Sequence, residues 1–394
     1  MPDVELSFTR EEYGERLNKV RAAMESAGIE VLITVDPSNM SWLTGYDGWS
    51  FYTHQAIVVT LSDGPFWWGR GIDANGARRT VYMPDENILE YPDHYVMSTD
   101  RHPMDHLSSY FRDRMWDVVY IGVEMDNYYF SAAALESLKR NLPNATFVDA
   151  TGLVNWQRGV KSETELEYMR IAARIVEKMH ERIDQTIKPG IRKNELVAEI
   201  YHQAISGADG HGGDYPAIVP MLPTGVDASA AHLTWDDREL VRGAGTFFEI
   251  AGCYKRYHVP LCRTTYLGKP PKYMLEAEQA IIEGLENGLE AARTGNRASD
   301  VANAFYAALE RAGIEREGRC GYPVGLSYPP DWGERTISFR ETDNSVLLPG
   351  MTFHFMPGLW MDSWGLEITE TILIKEEGPA ECLANVPRGL SVKD

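Results

Sequence analysis

The segment that most restricts the fold is residues 247–268, FFEIAGCYKRYHVPLCRTTYLG. Two runs rich in apolar, aromatic and β-branched residues stand on either side of a short polar turn, which is the pattern of a buried β-hairpin. Glu249 is the only charged residue of the first run. A carboxylate among apolar neighbours is costly unless it has a partner or a function. The segment therefore predicts a buried ribbon that carries one unusual carboxylate.

The first part of the chain alternates helical and strand patterns, which is typical of a three-layer α/β domain. Apolar residues recur with helical spacing before Gly28, a helix stop signal, and a Ser-Asp-Gly-Pro sequence marks a turn between two strand-like runs. The predicted elements are helices at 11–28 and 131–142, strands at 29–35 and 117–125, and a hairpin at 55–69.

The pattern changes near residue 158, so we expect two domains, residues 1–158 and residues 159–394. The second part begins with two long helical patterns, then becomes rich in strands, with one further helical span among them. Paired helices around an antiparallel sheet indicate an α+β domain. The predicted helices lie at 163–187, 192–208 and 272–312, and the predicted strands at 216–222, 245–252, 257–268, 351–358 and 367–375.

Composition excludes several classes of protein. The formal net charge of −20 disfavours binding to nucleic acid, whose phosphates would be repelled, and fits a small cationic or zwitterionic substrate. No stretch approaches the ~18 apolar residues that a membrane span needs, and the N-terminus lacks an apolar signal core, so we expect a cytoplasmic protein. The four cysteines form no C-x-x-C pair, so a thiolate zinc site is not predicted.

Several motifs resemble the "pita-bread" superfamily of creatinase, aminopeptidase P, prolidase and methionine aminopeptidase. They are RLNKVRAAMESAGIEVLITVDPSNMSWLTGY, the R-x-x-K-S-x-x-E pattern from Arg158 to Glu165, IKPGIRKNELVAEI, and GVDASAAHL. The resemblance covers nearly the whole chain. It implies a creatinase-like α/β N-terminal domain followed by a pita-bread catalytic domain.

The resemblance also identifies the positions at which metal-dependent members hold two metal ions with two aspartates, one histidine and two glutamates. In this chain those five positions are occupied by Glu249, Pro260, Tyr322, Met356 and Thr369. Four of the five are not ordinary ligands for a hard cation, and one glutamate cannot hold a dinuclear centre. The sequence therefore predicts no metal site and no other cofactor.

Two further stretches, GYPVGLSYPPDWGERT and PGMTFHFMPGLWMDSWGLEITE, are similar to the ectoine hydrolases within that superfamily. This resemblance implies a metal-independent hydrolase that opens the cyclic amidine of ectoine to N-acetyl-L-2,4-diaminobutyrate, with hydroxyectoine as a further candidate substrate. A metal is unnecessary because the amidinium is already positive and electrophilic. Direct attack by a carboxylate and attack by water with a carboxylate as general base both remain open.

Strand periodicity and the resemblance together give the candidate site residues. Glu249 is the first catalytic candidate, and His232 in GVDASAAHL is the candidate proton shuttle. Because alternate residues of a strand share a face, the strands that carry Glu249, Met356 and Thr369 should bring further side chains to the same site. The candidate substrate-binding residues of the catalytic domain are His258, Cys262, Tyr322, Arg335, His354, Met356, Trp360 and Glu367.

The substrate carboxylate needs an arginine or a backbone nest, and the sequence does not separate Arg335 from Arg263 as that arginine. Trp49, Phe51 and Tyr52 lie on a glycine-flanked loop of the N-terminal domain. In creatinase-like dimers this loop reaches the active site of the partner, so the resemblance implies a homodimer in which these aromatic residues contact the substrate. Packing inside their own domain is the alternative.

Three other functions remain open on the residues alone. A metallopeptidase of the prolidase or aminopeptidase P type would need rearranged ligands. A creatinase-type amidinohydrolase is doubtful because Cys262 and Met356 occupy the positions of its two key carboxylates. A non-catalytic binding module would need none of these groups to react, and His258, His354 and Glu249 would then be hydrogen-bonded core residues.

Overall fold

The computed structural model describes residues 4–394, so the first three residues of the predicted N-terminal domain lie outside the described residues. The chain consists of two compact units, Met1–Arg158 and Gly159–Asp394. None of the described helices combines the length and the low polarity that crossing a membrane requires.

The first unit is a six-stranded mixed sheet with helices, as the alternating pattern predicts. The strand order is β4-β3-β2-β1-β5-β6, with β1 antiparallel to β2 and parallel to β5. Helix α1 begins after a Thr9 side-chain cap and ends at Gly28, whose φ of 67° suits glycine. Its elements are α1 (Arg10–Ala27), β1 (Val31–Thr34), α2 (Pro37–Thr44), β2 (Ala56–Thr60), β3 (Phe66–Arg70), α3 (Ala74–Thr80), β4 (Ile88–Tyr91), α4 (Pro103–Asp113), β5 (Tyr120–Val123), α5 (Ala132–Asn141), β6 (Thr146–Asp149) and α6 (Leu153–Gln157).

The second unit is built around the ribbon that the sequence predicts. Strands β7 and β8 pair antiparallel over their whole length, β15 joins β8 in parallel, and a second sheet has the order β14-β13-β10-β9. The elements are α7 (Glu163–Thr186), α8 (Lys193–Ser206), β7 (Ala244–Tyr254), β8 (Tyr257–Leu267), α9 (Lys272–Ala291), α10 (Ala298–Arg311), β9 (Gly321–Pro323), β10 (Thr352–Phe355), β11 (Gly358–Met361), β12 (Trp364–Glu367), β13 (Glu370–Leu373), β14 (Glu381–Cys382) and β15 (Ser391–Lys393).

The ribbon packs closely against α7 because one of its residues has no side chain. A Cβ placed on Gly252 would lie 2.0 Å from the carbonyl oxygen of Ala172 in α7. Only glycine allows the strand and helix backbones to come this close. The ribbon is therefore held between its neighbouring strands and α7.

Two strand predictions are wrong. Residues 216–222 form no strand, and only Met221 makes an isolated bridge, to Glu249. Pro216 and Pro220 remove backbone donors from this run, which explains the failure. The predicted strand 367–375 divides in two, because Glu367 pairs with β11 whereas Glu370 pairs with β10. Residues 368 and 369 lie at this change of partner.

Candidate active site

The ribbon places Glu249 and Cys262 directly opposite each other on β7 and β8. The Glu249 side chain is 5% exposed, and its backbone is also bonded to Met221. Cys262 is fully buried, and burial followed by the charges of Glu367 and Glu249 raises the pKa of its thiol well above the usual range. The thiol is therefore uncharged at neutral pH and is not a ready nucleophile.

Glu367 at the end of β12 forms a pair of buried carboxylates with Glu249. Glu367 is completely buried, and within the described part of the chain neither of its carboxylate oxygens has a hydrogen-bond partner. Burial raises the pKa of Glu367 to about 7 against the lowering effects of Cys262 and Arg316. Burial and the Glu367 charge raise the pKa of Glu249 well above its usual range. Because two such neighbours resist being charged together, the pair retains a proton near neutral pH.

A chain of hydrogen bonds includes Tyr322 and Thr369, two of the five positions that the resemblance assigns to metal ligands. The Trp332 indole N–H donates to the Tyr322 hydroxyl over 2.8 Å, and that hydroxyl lies 2.9 Å from Nδ1 of His354. Nε2 of His354 lies 2.8 Å from the Thr369 hydroxyl, which accepts the backbone N–H of Cys262.

The state of His354 decides which hydroxyl of this chain keeps a hydrogen to donate elsewhere. Burial lowers the pKa of His354 to about 3, and the charge of Arg319 acts in the same direction, so the ring is neutral. A neutral imidazole has one N–H and one acceptor nitrogen. Either Tyr322 or Thr369 must therefore donate to the ring, and the other hydroxyl hydrogen remains uncommitted.

An apolar wall lies beside the carboxylates. Ala228, Phe247 and Cys262 form a buried cluster against which the half-buried Trp360 packs. Nε1 of Trp360 is buried and has no hydrogen-bond partner anywhere in residues 4–394. A flat apolar surface with one unused donor suits a small ring that has a polar edge.

The predicted histidines differ in their surroundings. The Ala217 N–H donates to Nε2 of His258 and the Nδ1–H donates to the Arg256 carbonyl, so both ring nitrogens are engaged. This environment favours a structural His258, and burial lowers its pKa to about 4. His232 is exposed in the loop after the 3-10 turn Gly225–Ser229. Its catalytic role stays a prediction.

The arginines considered for the substrate carboxylate are also separated by the structure. Arg263 is buried, pairs with Glu370 at 2.7 Å and donates to four backbone carbonyl oxygens. It has no capacity left for a ligand. Arg335 is exposed and has a φ of 56°, and its role stays a prediction. Met356 is half-buried and begins the segment that connects β10 to β11.

The predicted aromatic loop belongs to the first unit. Trp49 is 57% exposed and Tyr52 is 65% exposed. Phe51 packs against Trp49 at 4.8 Å and against Tyr129 at 5.7 Å between ring centroids. Phe51 therefore has an intradomain packing role, whereas Trp49 and Tyr52 present most of their surface to solvent.

The side chains at the site do not fit a hard metal ion. In the part of the chain that the structure describes, no group of three or more His, Cys, Asp and Glu residues is arranged as a metal site. Tyr322 and Thr369 are hydrogen-bonded to His354, and the remaining candidate ligands are two carboxylates. A dinuclear centre needs more oxygen and nitrogen ligands than this.

Sequence reasoning missed three residues of this region. The resemblance identifies Thr369 only as a lost metal ligand, and no sequence pattern singles out Trp332. Both are hydrogen-bonded members of the chain that includes His354. Arg319 was also missed, although it stands only three residues before Tyr322. Its closeness to Tyr322 in the sequence was the only signal for Arg319.

Comparison with known proteins agrees with this architecture. Residues 16–160 match the creatinase/prolidase N-terminal domain, and residues 167–376 match metallopeptidase family M24. The chain is 59% identical to the ectoine hydrolase of Halomonas elongata over 100% of both chains. It is 30% identical to a probable dipeptidase PepE of Mycobacterium tuberculosis over 62% of this chain and 63% of that protein.

Solved structures share the fold at low sequence identity. Dipeptidase PepE from Mycobacterium ulcerans has a TM-score of 0.80 at 21% identity, covering 98% of this chain and 99% of that chain. Prolidase from Thermococcus sibiricus has a TM-score of 0.83 at 16% identity, covering 96% and 99%. The predicted fold class is thereby confirmed. The chain belongs to metallopeptidase family M24 and carries the creatinase/prolidase N-terminal domain.

Proposed function

We propose that this protein hydrolyses ectoine, opening its cyclic amidine to N-acetyl-L-2,4-diaminobutyrate without a metal ion. The full-length relative at 59% identity supports this substrate by its name. The observation that carries the proposal is the carboxylate pair, because Glu367 is buried with no hydrogen-bond partner among the described residues. An amidinium supplies N–H donors to the unpartnered oxygens of Glu367 and adds to the positive charge of Arg316, which lowers the pKa of Glu367 only in part.

The carboxylate pair can bind and activate such a substrate. Glu367 accepts N–H groups of the amidinium, and the bound cation favours the ionised carboxylates, which lowers their pKa values again. Glu249 then acts as a general base or as a nucleophile.

Attack by water requires no acid–base group at the reacting carbon other than Glu249. The water oxygen bonds to the amidinium carbon while its proton passes to the Glu249 carboxylate. Attack gives a tetrahedral carbon that carries the new hydroxyl group. As the ring C–N bond breaks, the proton on Glu249 passes to the departing nitrogen and Glu249 is ionised again. The remaining hydroxyl proton passes through Glu249 to the same amine as the amide C=O forms, so the amine leaves as an ammonium group. His232 would carry protons between the site and solvent.

The test is turnover of ectoine by the purified protein, followed by NMR of the products, with and without a chelator. We expect the wild type to open the ring in both conditions and Glu249→Gln to lose at least about 100-fold in kcat, because the amide cannot accept the proton. Glu377→Gln removes an equal charge from an exposed residue and should be unaffected.

Two results would contradict this function. Near-native turnover by Glu249→Gln would remove Glu249 from the chemistry. Chelator-sensitive hydrolysis of Xaa-Pro dipeptides, with ectoine left intact, would make the protein a peptidase of the type that its structural neighbours represent.

The proposal includes a cytoplasmic homodimer in which the Trp49–Tyr52 loop reaches the active site of the partner. The exposure of Trp49 and Tyr52 supports it, because large aromatic surfaces left to solvent are often interaction sites. Light scattering should give twice the chain mass of 44.4 kDa. Trp49→Ala should raise KM for ectoine, and a monomeric wild type with full activity would refute this part.

A further inference from the structure

Arg319 is a half-buried arginine whose guanidinium has no anionic partner. Its guanidinium carbon lies 4.4 Å from the centroid of the Tyr322 ring. No hydrogen bond or ion pair joins this side chain to another residue in the range 4–394. This contact with the ring leaves the five N–H donors of the guanidinium for another molecule.

Nearby arginines behave differently. Arg316 donates to three backbone carbonyl oxygens and to the Tyr306 hydroxyl. Arg263 forms an ion pair with Glu370 and donates hydrogen bonds to four backbone carbonyl oxygens. The chain has 58 acidic and 38 basic residues, so a shortage of carboxylates does not explain why Arg319 lacks one.

The charge of Arg319 acts directly on the site. It contributes to the lowered pKa of His354, and it opposes the raised pKa of Tyr322. The raised pKa of Tyr322 in turn reflects burial and the Glu249 charge. Tyr322 thus lies within electrostatic reach of both the Arg319 cation and the Glu249 carboxylate.

From this arrangement we infer that Arg319 binds the carboxylate of a zwitterionic substrate while Glu249 and Glu367 hold its cationic ring; the inference rests on the proposed function. A planar guanidinium matches a carboxylate with two parallel N–H donors. Its contact with the Tyr322 ring restricts the side chain before a ligand binds, so less side-chain entropy is lost on binding. The chemistry assigned is that of a small cyclic amidinium that carries a carboxylate.

The experiment compares two substrates in a chemical double-mutant cycle. Ectoine has the carboxylate, and 2-methyl-1,4,5,6-tetrahydropyrimidine is the same ring without it. The variants are Arg319→Gln, Arg319→Lys and Arg335→Gln. The control is Arg340→Gln, which removes one positive charge from an exposed residue. Circular dichroism and thermal unfolding of each variant check that it folds.

We expect Arg319→Gln to lower kcat/KM for ectoine by about 30- to 100-fold, mainly through KM, as for a lost charge-assisted hydrogen-bond pair. The same variant should change turnover of the analogue by less than about threefold, because the analogue has nothing for Arg319 to bind. Arg319→Lys should recover part of the loss, and Arg340→Gln should match the wild type.

Three results would overturn the inference. Equal losses of Arg319→Gln on both substrates would give Arg319 a structural role only. A selective loss on ectoine in Arg335→Gln, with Arg319→Gln normal, would transfer the role to the exposed arginine. Absence of ectoine turnover in the wild type would remove the proposed function and this inference with it, which distinguishes that failure from the other two.

Discussion

The pair of buried carboxylates makes a prediction about stability that needs no substrate. The pKa of Glu367 rises from an ordinary 4.5 to about 7 on folding because the group is buried. The folded protein therefore holds this proton more tightly than the unfolded chain. Between about pH 4.5 and pH 7 it binds more protons than the unfolded chain, so its stability falls as the pH rises through that window.

The size of the effect on stability follows from the two pKa values of Glu367, 4.5 in the unfolded chain and about 7 in the folded protein. Each factor of ten in proton affinity is worth about 1.4 kcal/mol, so the whole rise corresponds to about 3 kcal/mol. Between pH 5 and pH 8 most of this, about 2.5 kcal/mol, is lost from the free energy of unfolding. Glu367→Gln cannot titrate and should lack this component.

The assay is urea denaturation of the wild type, Glu367→Gln and the surface control Glu377→Gln at pH 5 and pH 8, without ectoine. The decisive quantity is the change in unfolding free energy between the two pH values, because it cancels any packing cost of the new amide. The wild type and the control should lose about 2.5 kcal/mol more than Glu367→Gln. Equal losses in all three proteins would refute the buried, proton-retaining state of Glu367.

Three further predictions follow from other buried groups. Glu370→Ala should lower the free energy of unfolding by about 3–5 kcal/mol, measured by thermal denaturation, because it leaves Arg263 buried without its partner. Gly252→Ala should reduce the yield of folded protein, since its new methyl group would meet the Ala172 carbonyl in α7. Cys262 should resist iodoacetamide at pH 8 in the folded protein and react in urea, as mass spectrometry would show, because burial keeps its thiol protonated.

The periodicity of apolar residues predicted a strand correctly where that strand keeps the same neighbouring strand along its length. The ribbon of β7 and β8 was recognisable because both strands stay buried along their length. The strand predicted at 367–375 failed for the opposite reason. Glu367 and Glu370 pair with different strands, and an alternating pattern does not record a change of partner between them.

Side-chain pairing across the sheet was predictable only in part. Alternation along the strands indicated that Glu249 and Glu367 share a site, and the structure brings these two carboxylates together. Alternation also selected His258, but whether a histidine is free depends on groups that approach from elsewhere, here Ala217 and its backbone N–H. Arg319 was invisible to periodicity because its position depends on stacking over Tyr322.

Two buried carboxylates of this chain, Glu124 and Glu367, differ in their hydrogen-bond partners, and this difference distinguishes a structural carboxylate from a functional one. Glu124 in the first unit is also buried, and it accepts hydrogen bonds from two backbone N–H groups, the Thr34 hydroxyl and the Asn39 amide. Those donors partly offset its desolvation, although burial still raises the pKa of Glu124. Glu367 is equally buried, yet its oxygens have no hydrogen-bond partner among the described residues, and the neighbouring Cys262 thiol lowers its raised pKa only in part.

The missing hydrogen-bond partners of Glu367 show why the residues at the former metal-ligand positions matter. In a metal-dependent relative, the charges of the carboxylates are balanced by cations that remain bound. Here Tyr322 and Thr369 are neutral and occupied with His354, so they supply no positive charge to Glu249 and Glu367. A neutral dipeptide bond would leave the pair as unbalanced as before, whereas an amidinium would neutralise it on binding. The proposed preference for a cationic ring over a peptide thus follows from a charge that Tyr322 and Thr369 do not supply and that Arg316 balances only in part.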